Sequence, residues 1–579
     1  MREIISADNA RAASTGVQGP AGRFLRGESA GARLLWGLIL CLLFLPFLNK
    51  AFHIDDAEFL IISRIVEWNP LHTAPVDYPT YGQMLRGSLP AFEMTHPLLV
   101  PYMIKLVSAV FGEREVILHL AFLIFPALAL WSVVTLNRMW FPEAGSAGRI
   151  VALFLCSIPV FLVSAHTIMT DVPTLAFILF AMALYSLFAE KGSVVHAYLG
   201  GAALCLAAFT SYQALFFVFP VFIILLMRRR FGIHGALSLL MPVAALLAWF
   251  LLLYHTYDIF PMIKGGGAGS PGDGMIPHII RVSMDYENSS YRGISILAFI
   301  GASMLFITPA YCILSKSRVR LLAAFMVLFF FGYAAVTKYP EYSVLERLSL
   351  GALVALGMMS IGIACAVSFR SFGDDKHRGG ATVLLLWIFL VLTYSMLLLP
   401  FVAARHILPI FPPLVMLLVN GIAWEKSRVA QVVVTFALFC SALFGAASAF
   451  SDYEYAGTYR EIANDVGNIR SGSQVWYIGK WGMEYYMNKA GGRYLMESSN
   501  EPRKGDIIVI PEMPRFWNPS LLLQSRLALY AEKICVSPLP LRLFNGRSNA
   551  GFYSSGWGLL PFAFSSEPDE VFGIYRVVS

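Results

Sequence analysis

The stretch "NKAFHIDDAEFLIIS", residues 49–63, follows a long apolar run and presents Asp55, Asp56 and Glu58 within four positions. At a membrane edge such carboxylates are costly unless they cap a helix, hold a cation or perform chemistry. Whether the preceding run crosses a membrane is answered by the rest of the chain. Its 579 residues are 57% hydrophobic and only 14% charged, where a soluble domain carries about 25%. Apolar runs of about 17–25 residues recur along most of the length, the pattern of many membrane-spanning helices.

The expected spans are 34–52, 115–137, 149–165, 171–189, 193–210, 212–227, 236–256, 293–314, 320–336, 347–369, 381–401, 405–424 and 429–450, thirteen in all. The run Leu34–Leu48 lacks a small-residue cleavage site and is followed by Lys50, so it reads as a retained span and not a signal peptide. The run Ser193–Met227 lies between Lys191 and Arg228–Arg230; it is expected to cross twice, turning at Ser211-Tyr212-Gln213. Leu98–Phe111 is short and contains Lys105, which suits an interfacial or re-entrant helix.

Thirteen crossings place fourteen Lys and Arg residues, from Arg138 to Arg428, in the loops of one side, against only Lys338, Arg347 and Arg405 in the short loops of the other. This asymmetry predicts the N-terminus inside and the C-terminus outside. The formal charge of +7 is thus an orientation signal, and no nucleic acid is expected as a partner. The outer side receives the acids at 55–58, Ala165–Asp171, Ser211–Gln213, Tyr257–Arg292, Thr337–Arg347, Phe401–His406 and everything after about Ser451.

The expected fold is therefore an α-helical polytopic membrane protein with a small C-terminal α/β extracytoplasmic domain. Residues 1–33 read as a disordered cytoplasmic N-terminus, 34–450 as a transmembrane domain with an outer loop at 53–114, and 451–579 as the outer domain. In that tail "GTYREIANDVGNI" and "GMEYYMNKAG" suit helices, while "SQVWYIG", "GDIIVIPE" and "VFGIYRVVS" suit strands. There is no GxGxxG or GxxxxGK[ST], and the glycines of "KGGGAGSPGDG" (264–274) lack a strand-to-helix setting, so that stretch reads as a loop. Of seven cysteines, six lie in apolar segments, and no CxxC pair exists; neither a disulfide framework nor a cysteine metal site is indicated.

Four segments then occur in a familiar order: "HIDDAEFL" after the first span, "THPLLVPYMIKLVSAVFGE" at 95–113, "TDVPTLAF" at 170–177 and "RHILPIFPPL" at 405–414. Over about residues 35–425 the chain resembles the C-type glycosyltransferase superfamily, in particular the protein O-mannosyltransferases and the bacterial enzymes that add aminoarabinose to lipid A. It departs from them in the single proline of its "HPL" turn, Pro97, and in "TSYQAL", which stands where a lysine often follows the fifth span. The resemblance implies a polyprenyl-phosphate-sugar donor, inversion at the anomeric carbon, and an acceptor on the outer face: lipid A, a polysaccharide or a protein. It also implies a multi-pass location in a bacterial inner membrane, among membrane lipids.

Residue roles follow from motif and chemistry together. Asp55 matches the superfamily's first acid and Asp56 its second, more variable partner. An alcohol is a poor nucleophile until its proton is taken, and a carboxylate at the bilayer surface suits that task. Locally, Asp55-x-x-Glu58 also reads as a capping box for the helix that follows. Asp171, after Thr170 and before Pro173, is either an N-terminal cap or a second acid that orients the acceptor or a sugar hydroxyl. Arg405 is either a snorkelling anchor or a clamp on the donor phosphate, whose growing charge a guanidinium meets with two parallel bonds. Lys338 and Arg347, on either side of "YPEYSVLE", are its candidate assistants.

Glu58, His96, Tyr212, Gln213 and His406 are expected to line the substrate site. No cofactor is required, since Arg and Lys can handle a monophosphate leaving group. A divalent cation held among His53, His96, His166, His255 and nearby acids is an option that no His-x-x-x-His spacing supports. The rival class, a flippase or transporter of lipid-linked sugars, favours charges at mid-membrane and repeat symmetry. Here the acids gather at one face and no internal repeat is visible.

Overall fold

The computed structural model describes residues 30–69, 96–142, 147–257, 286–371, 375–422, 427–469, 473–495, 502–513 and 521–578. The N-terminal stretch 1–29, most of the outer loop between 70 and 95, and the glycine-rich 264–274 lie outside the described residues. The chain forms two units, Met1–Pro46 and Phe47–Ser579. The first contains the helix Ala30–Phe44, which matches the first expected span.

In the second unit every other expected span is helical, and the breaks follow from sequence. The span at 149–165 divides into Ala147–Ser157 and Pro159–Ser164, with Pro159 at the first helical position. The one at 405–424 begins as a 3-10 turn, Ala404–Ile410, before the helix Phe411–Gly421; Pro409 within the turn has no amide hydrogen to donate. The pair Ser289–Ser303 and Ile307–Leu314 bends by 69°. Among the described residues, eight helices are long and apolar enough to cross a membrane, or nine if the bent pair counts as one. The remaining expected spans are carried by shorter helices, such as Val194–Thr210 and Tyr212–Met227. The segment expected to lie at the interface is the helix Leu99–Phe111, whose neighbour Leu98 packs with Ile62 and Val66 while Leu106, Val110 and Phe111 face outward.

Close helix packing is set by small residues. A Cβ placed on Gly301 would lie 1.9 Å from the Leu353 carbonyl oxygen, so the helices Tyr286–Ser303 and Val344–Ser371 meet at backbone distance.

The helix expected to open the tail is the continuation of the last span, because Arg428–Ile469 is one unbroken helix. Beyond it lies a five-stranded sheet in the order Arg493–Tyr494, Val475–Tyr477, Ile507–Pro511, Glu570–Val577, Leu527–Cys535. The first three strands are parallel and the last two pair antiparallel. The three expected strands are present. Leu527–Cys535 joins them at the edge, with its residues mostly exposed or half-buried. Trp476, Ile478, Leu495, Ile508 and Val577 form the core on one face. The helix Gly482–Lys489 docks this domain onto the start of the second unit: the Phe52 amide donates to the Tyr486 hydroxyl at 3.0 Å, and Tyr485 and Tyr486 donate to Glu113 and Glu115, each at 2.8 Å.

Candidate active site

The opening acids sit on a strained turn. Ile54, a buried β-branched residue, has φ +49°, a region that such side chains rarely adopt. The helix Asp56–Ile65 begins directly after it, with Asp55 at the N-cap position. The Asp55 carboxylate makes no capping hydrogen bond. It accepts instead from Arg405, Nη2 to Oδ2 at 2.6 Å. The capping-box expectation is thus not met, because a guanidinium from the far end of the chain takes the oxygen.

Asp171 repeats this arrangement. Thr170 is the N-cap residue of Asp171–Lys191 and makes no side-chain cap bond. The Asp171 carboxylate lies 3.6 Å from Arg405 Nε. One guanidinium therefore bridges two acids that are 116 positions apart in sequence, as read from their numbers. Arg405 is only 8% exposed, so it is not a snorkelling anchor, and its Nη1 is buried without a hydrogen-bond partner among the described residues. Asp55 and Asp171 keep 25% and 19% of their side chains exposed, enough for a substrate atom to reach them.

Asp56 faces the other way. It is fully buried, Oδ1 accepts from the Ile168 amide at 2.8 Å, and Oδ2 accepts from the His53 amide at 3.4 Å. Burial raises its pKa to about 7, against the pull of Lys50 and of those amides. Its carboxylate ties the 53–56 turn to the 165–170 turn, the two turns that lead into Asp55 and Asp171.

His96 is partly buried against Phe59 and lies close enough to Asp55 and Arg405 to feel both charges; burial lowers its pKa to about 4. His406 is turned to its own loop, Nδ1 accepting from the Ala403 amide at 3.3 Å. Tyr212 packs on Phe250, and its hydroxyl accepts from Trp249 Nε1 at 3.3 Å. Gln213 follows in the same 3-10 turn, half-buried, and Glu58 is half-buried in the first turn after Asp55. Lys338 donates to Ser290 at 2.6 Å and lies over Tyr339, while Arg347 sits in the first turn of Val344–Ser371. Among the described residues neither cation touches Asp55, Asp171 or Arg405. Nor do three or more His, Cys, Asp or Glu side chains converge there as metal ligands.

A second charge cluster, absent from the motif reading, lies behind the first. Asp452 Oδ2 forms an ion pair with Lys50 Nζ at 2.5 Å, while Oδ1 pairs with His53 Nε2 at 3.1 Å and accepts from the Tyr553 hydroxyl at 2.8 Å. All four are buried, and burial lowers the pKa of His53 despite Asp452. An acid in "SDYEY", directly after an apolar run, was the available signal for Asp452; nothing local marks Tyr553.

Residues 95–256 match the family described as dolichyl-phosphate-mannose-protein mannosyltransferase. No curated protein matches the chain. Among solved structures, ArnT from Cupriavidus metallidurans bound to undecaprenyl phosphate aligns at TM-score 0.40 and 14% identity, over 87% of this chain and 96% of that one. The Archaeoglobus fulgidus oligosaccharyltransferase AglB, with an inhibitory peptide and a dolichol-phosphate, aligns at TM-score 0.45 and 12% identity, over 80% of this chain and 65% of that one. The family match agrees with the resemblance read from the motifs over the segment that it covers, residues 95–256.

Proposed function

We propose that the protein is an inverting glycosyltransferase that moves a sugar from a polyprenyl phosphate to an acceptor on the outer face of a bacterial inner membrane. The observation that carries this reading is the Arg405 guanidinium, held between Asp55 and Asp171 with one buried nitrogen left to donate. The family match and the ligands of the two solved structures, both polyprenyl-type phosphates, support the donor class. The loops that meet at Arg405 are among those the charge asymmetry assigns to the outer side, which supports the location of the site.

In this mechanism the acceptor hydroxyl oxygen attacks the anomeric carbon and its proton passes to Asp55. The bond from that carbon to the phosphate oxygen breaks, and the electron pair leaves on the phosphate. Arg405 meets the growing charge in a site shielded from water, where such contacts are strong. Asp171 holds the guanidinium from its other edge and is placed to accept from a sugar hydroxyl. Asp56 is a positioning residue that fixes the turn leading into the base. His96, beside the pair, borders the acceptor path. The acceptor is lipid A, a polysaccharide or a protein.

The test is reconstitution of the full chain in proteoliposomes with polyprenyl-phosphate sugars, following release of free polyprenyl phosphate. Asp55→Asn keeps the shape of the side chain and should lower transfer by roughly 10² or more, the scale of a lost general base. Mass spectrometry of envelope glycolipids and glycoproteins from a deletion strain identifies the acceptor. Full activity in Asp55→Asn would remove the base from this mechanism, and a wild-type protein that uses no such donor would remove the reaction.

A further inference from the structure

We infer that the C-terminal domain completes this site, with Tyr553 as a positioning residue whose ring sets the plane of the Arg405 guanidinium. The inference rests on the reading of Arg405 as the donor-phosphate clamp.

The observations come from a single segment of the tail. The Tyr553 ring lies beneath the guanidinium, 5.9 Å from Cζ to the ring centroid. Its hydroxyl donates to Asp452 at 2.8 Å, and its ring meets His53 edge-on at 4.8 Å. Tyr553 is 4% exposed, so both contacts are shielded. The segment around it is sewn into the membrane part by backbone bonds. The Ala404 amide donates to the Phe552 carbonyl at 2.8 Å, and the Ser555 amide donates to the Val402 carbonyl at 2.7 Å. Tyr291 donates to the Ser555 carbonyl at 2.6 Å, and the Leu559 amide donates to the Tyr342 hydroxyl at 2.8 Å. Arg405 thus follows a residue whose amide is fixed by the tail.

The segment also has a fixed shape. A Cβ on Gly558, whose φ is +156°, would lie 2.0 Å from the Asn549 carbonyl oxygen, so only glycine closes this loop. A rigid loop bonded on both sides of Tyr553 holds the ring where a floppy tail would not. An aromatic face attracts a guanidinium and constrains its rotation. Arg405 needs that constraint, because Asp55 and Asp171 pull on different nitrogens, and a phosphate oxygen must find the third.

The experiment uses the full chain in detergent micelles, with undecaprenyl phosphate alone as the binding probe, and then donor kinetics in proteoliposomes. Tyr553→Phe keeps the ring, and its donor kcat/KM should stay within about threefold of wild type. Tyr553→Leu removes the ring and should weaken undecaprenyl phosphate binding and donor kcat/KM by about 3- to 30-fold, the range of a shielded cation–π contact. The KM for the acceptor should not move. In an Arg405→Lys background, Tyr553→Leu should add little, because the two side chains act as one unit. If Tyr553→Leu melts early, Tyr553→Met replaces it.

Wild-type donor binding in Tyr553→Leu, or full additivity with Arg405→Lys, would overturn the inference and leave the clamp reading standing. Equal losses in Tyr553→Phe and Tyr553→Leu would likewise overturn the role of the ring. If the wild-type protein itself binds no undecaprenyl phosphate, the clamp reading fails first, and the failure is read from wild type before any variant.

Discussion

Arg405→Lys separates a phosphate clamp from a merely buried cation. In the native site Nη2 reaches Asp55 at 2.6 Å and Nε faces Asp171 at 3.6 Å, while Nη1 has no partner among the described residues. Lysine keeps the charge but offers one compact ammonium in place of a planar fork. It can hold one acid well; it cannot hold both and still present a nitrogen to a third oxygen. Each charge-assisted hydrogen bond is worth about 1.5–3 kcal/mol. Loss of one such contact in the transition state costs about 3 kcal/mol, or roughly 10² in rate. The expected result is a donor kcat/KM about a hundredfold below wild type, at saturating acceptor, in proteoliposomes that report free polyprenyl phosphate. Thermal stability should change little, since the two carboxylates still share a cation. Arg405→Met is the contrast: it leaves two partly buried acids without a counter-charge and should cost about 3–5 kcal/mol of stability. Wild-type donor kinetics in Arg405→Lys would refute the clamp and move the phosphate site toward Lys338 and Arg347.

Three further outcomes are expected. Asp56 has a pKa of about 7 in the folded protein against 3.8 as its ordinary value, so the folded state retains a proton that the unfolded chain releases. Its contribution favours the fold below about pH 4 and is lost as the pH rises through 7. Asp56→Asn should therefore flatten the fall in melting temperature between pH 5 and pH 8, and an unchanged slope would show that Asp56 does not titrate there. Gly301→Ala should lower the melting temperature, because its methyl group meets the Leu353 carbonyl at 1.9 Å and overpacking of this kind costs about 1–3 kcal/mol; an unaltered melt would mean that the two helices separate freely. A reporter fused after Ile469 should be active outside, and one inserted near Ser371 should be active inside; opposite signals would reverse the orientation assigned to the site.

Much of this was legible in the chain because hydropathy is read one residue at a time. Apolar runs gave nearly every helix, and the charge asymmetry grouped the loops that meet at Asp55, Asp171 and Arg405. The breaks at Ile158 and between Ser303 and Ile307 were less visible, since a bent helix and a straight one have the same composition. The unbroken helix Arg428–Ile469 was split in expectation because hydropathy falls after Phe450 while helical propensity does not. Asp55, Asp171 and Arg405, singled out from motifs, meet in the fold, but their local reading as caps and anchor does not hold: a capping box is a local pattern, and the partner that overrides it lies 350 positions away. Lys50, Asp452 and Tyr553 were harder still, because their meaning exists only where three distant segments pack.

The two adjacent acids illustrate why residue type alone does not assign a role. Neighbours at a helix start point about 100° apart, so they see different surroundings. The strained backbone at Ile54 sets the direction of both. It turns Asp55 toward Arg405 and leaves it a quarter exposed, and it turns Asp56 into a dry interior filled by two backbone amides. A carboxylate that must accept a proton from a substrate needs access, and only Asp55 has it. A carboxylate that must hold two turns in register needs burial and amide donors, and only Asp56 has those. Exchanging the two roles would require the turn at Ile54 to relax, which the Lys50–Asp452–His53 cluster on its other flank opposes by fixing the residues just before it. The buried cluster and the partly exposed carboxylate are therefore two ends of one arrangement: charge held in place at residues 50–53 keeps the carboxylate at residue 55 aimed at Arg405.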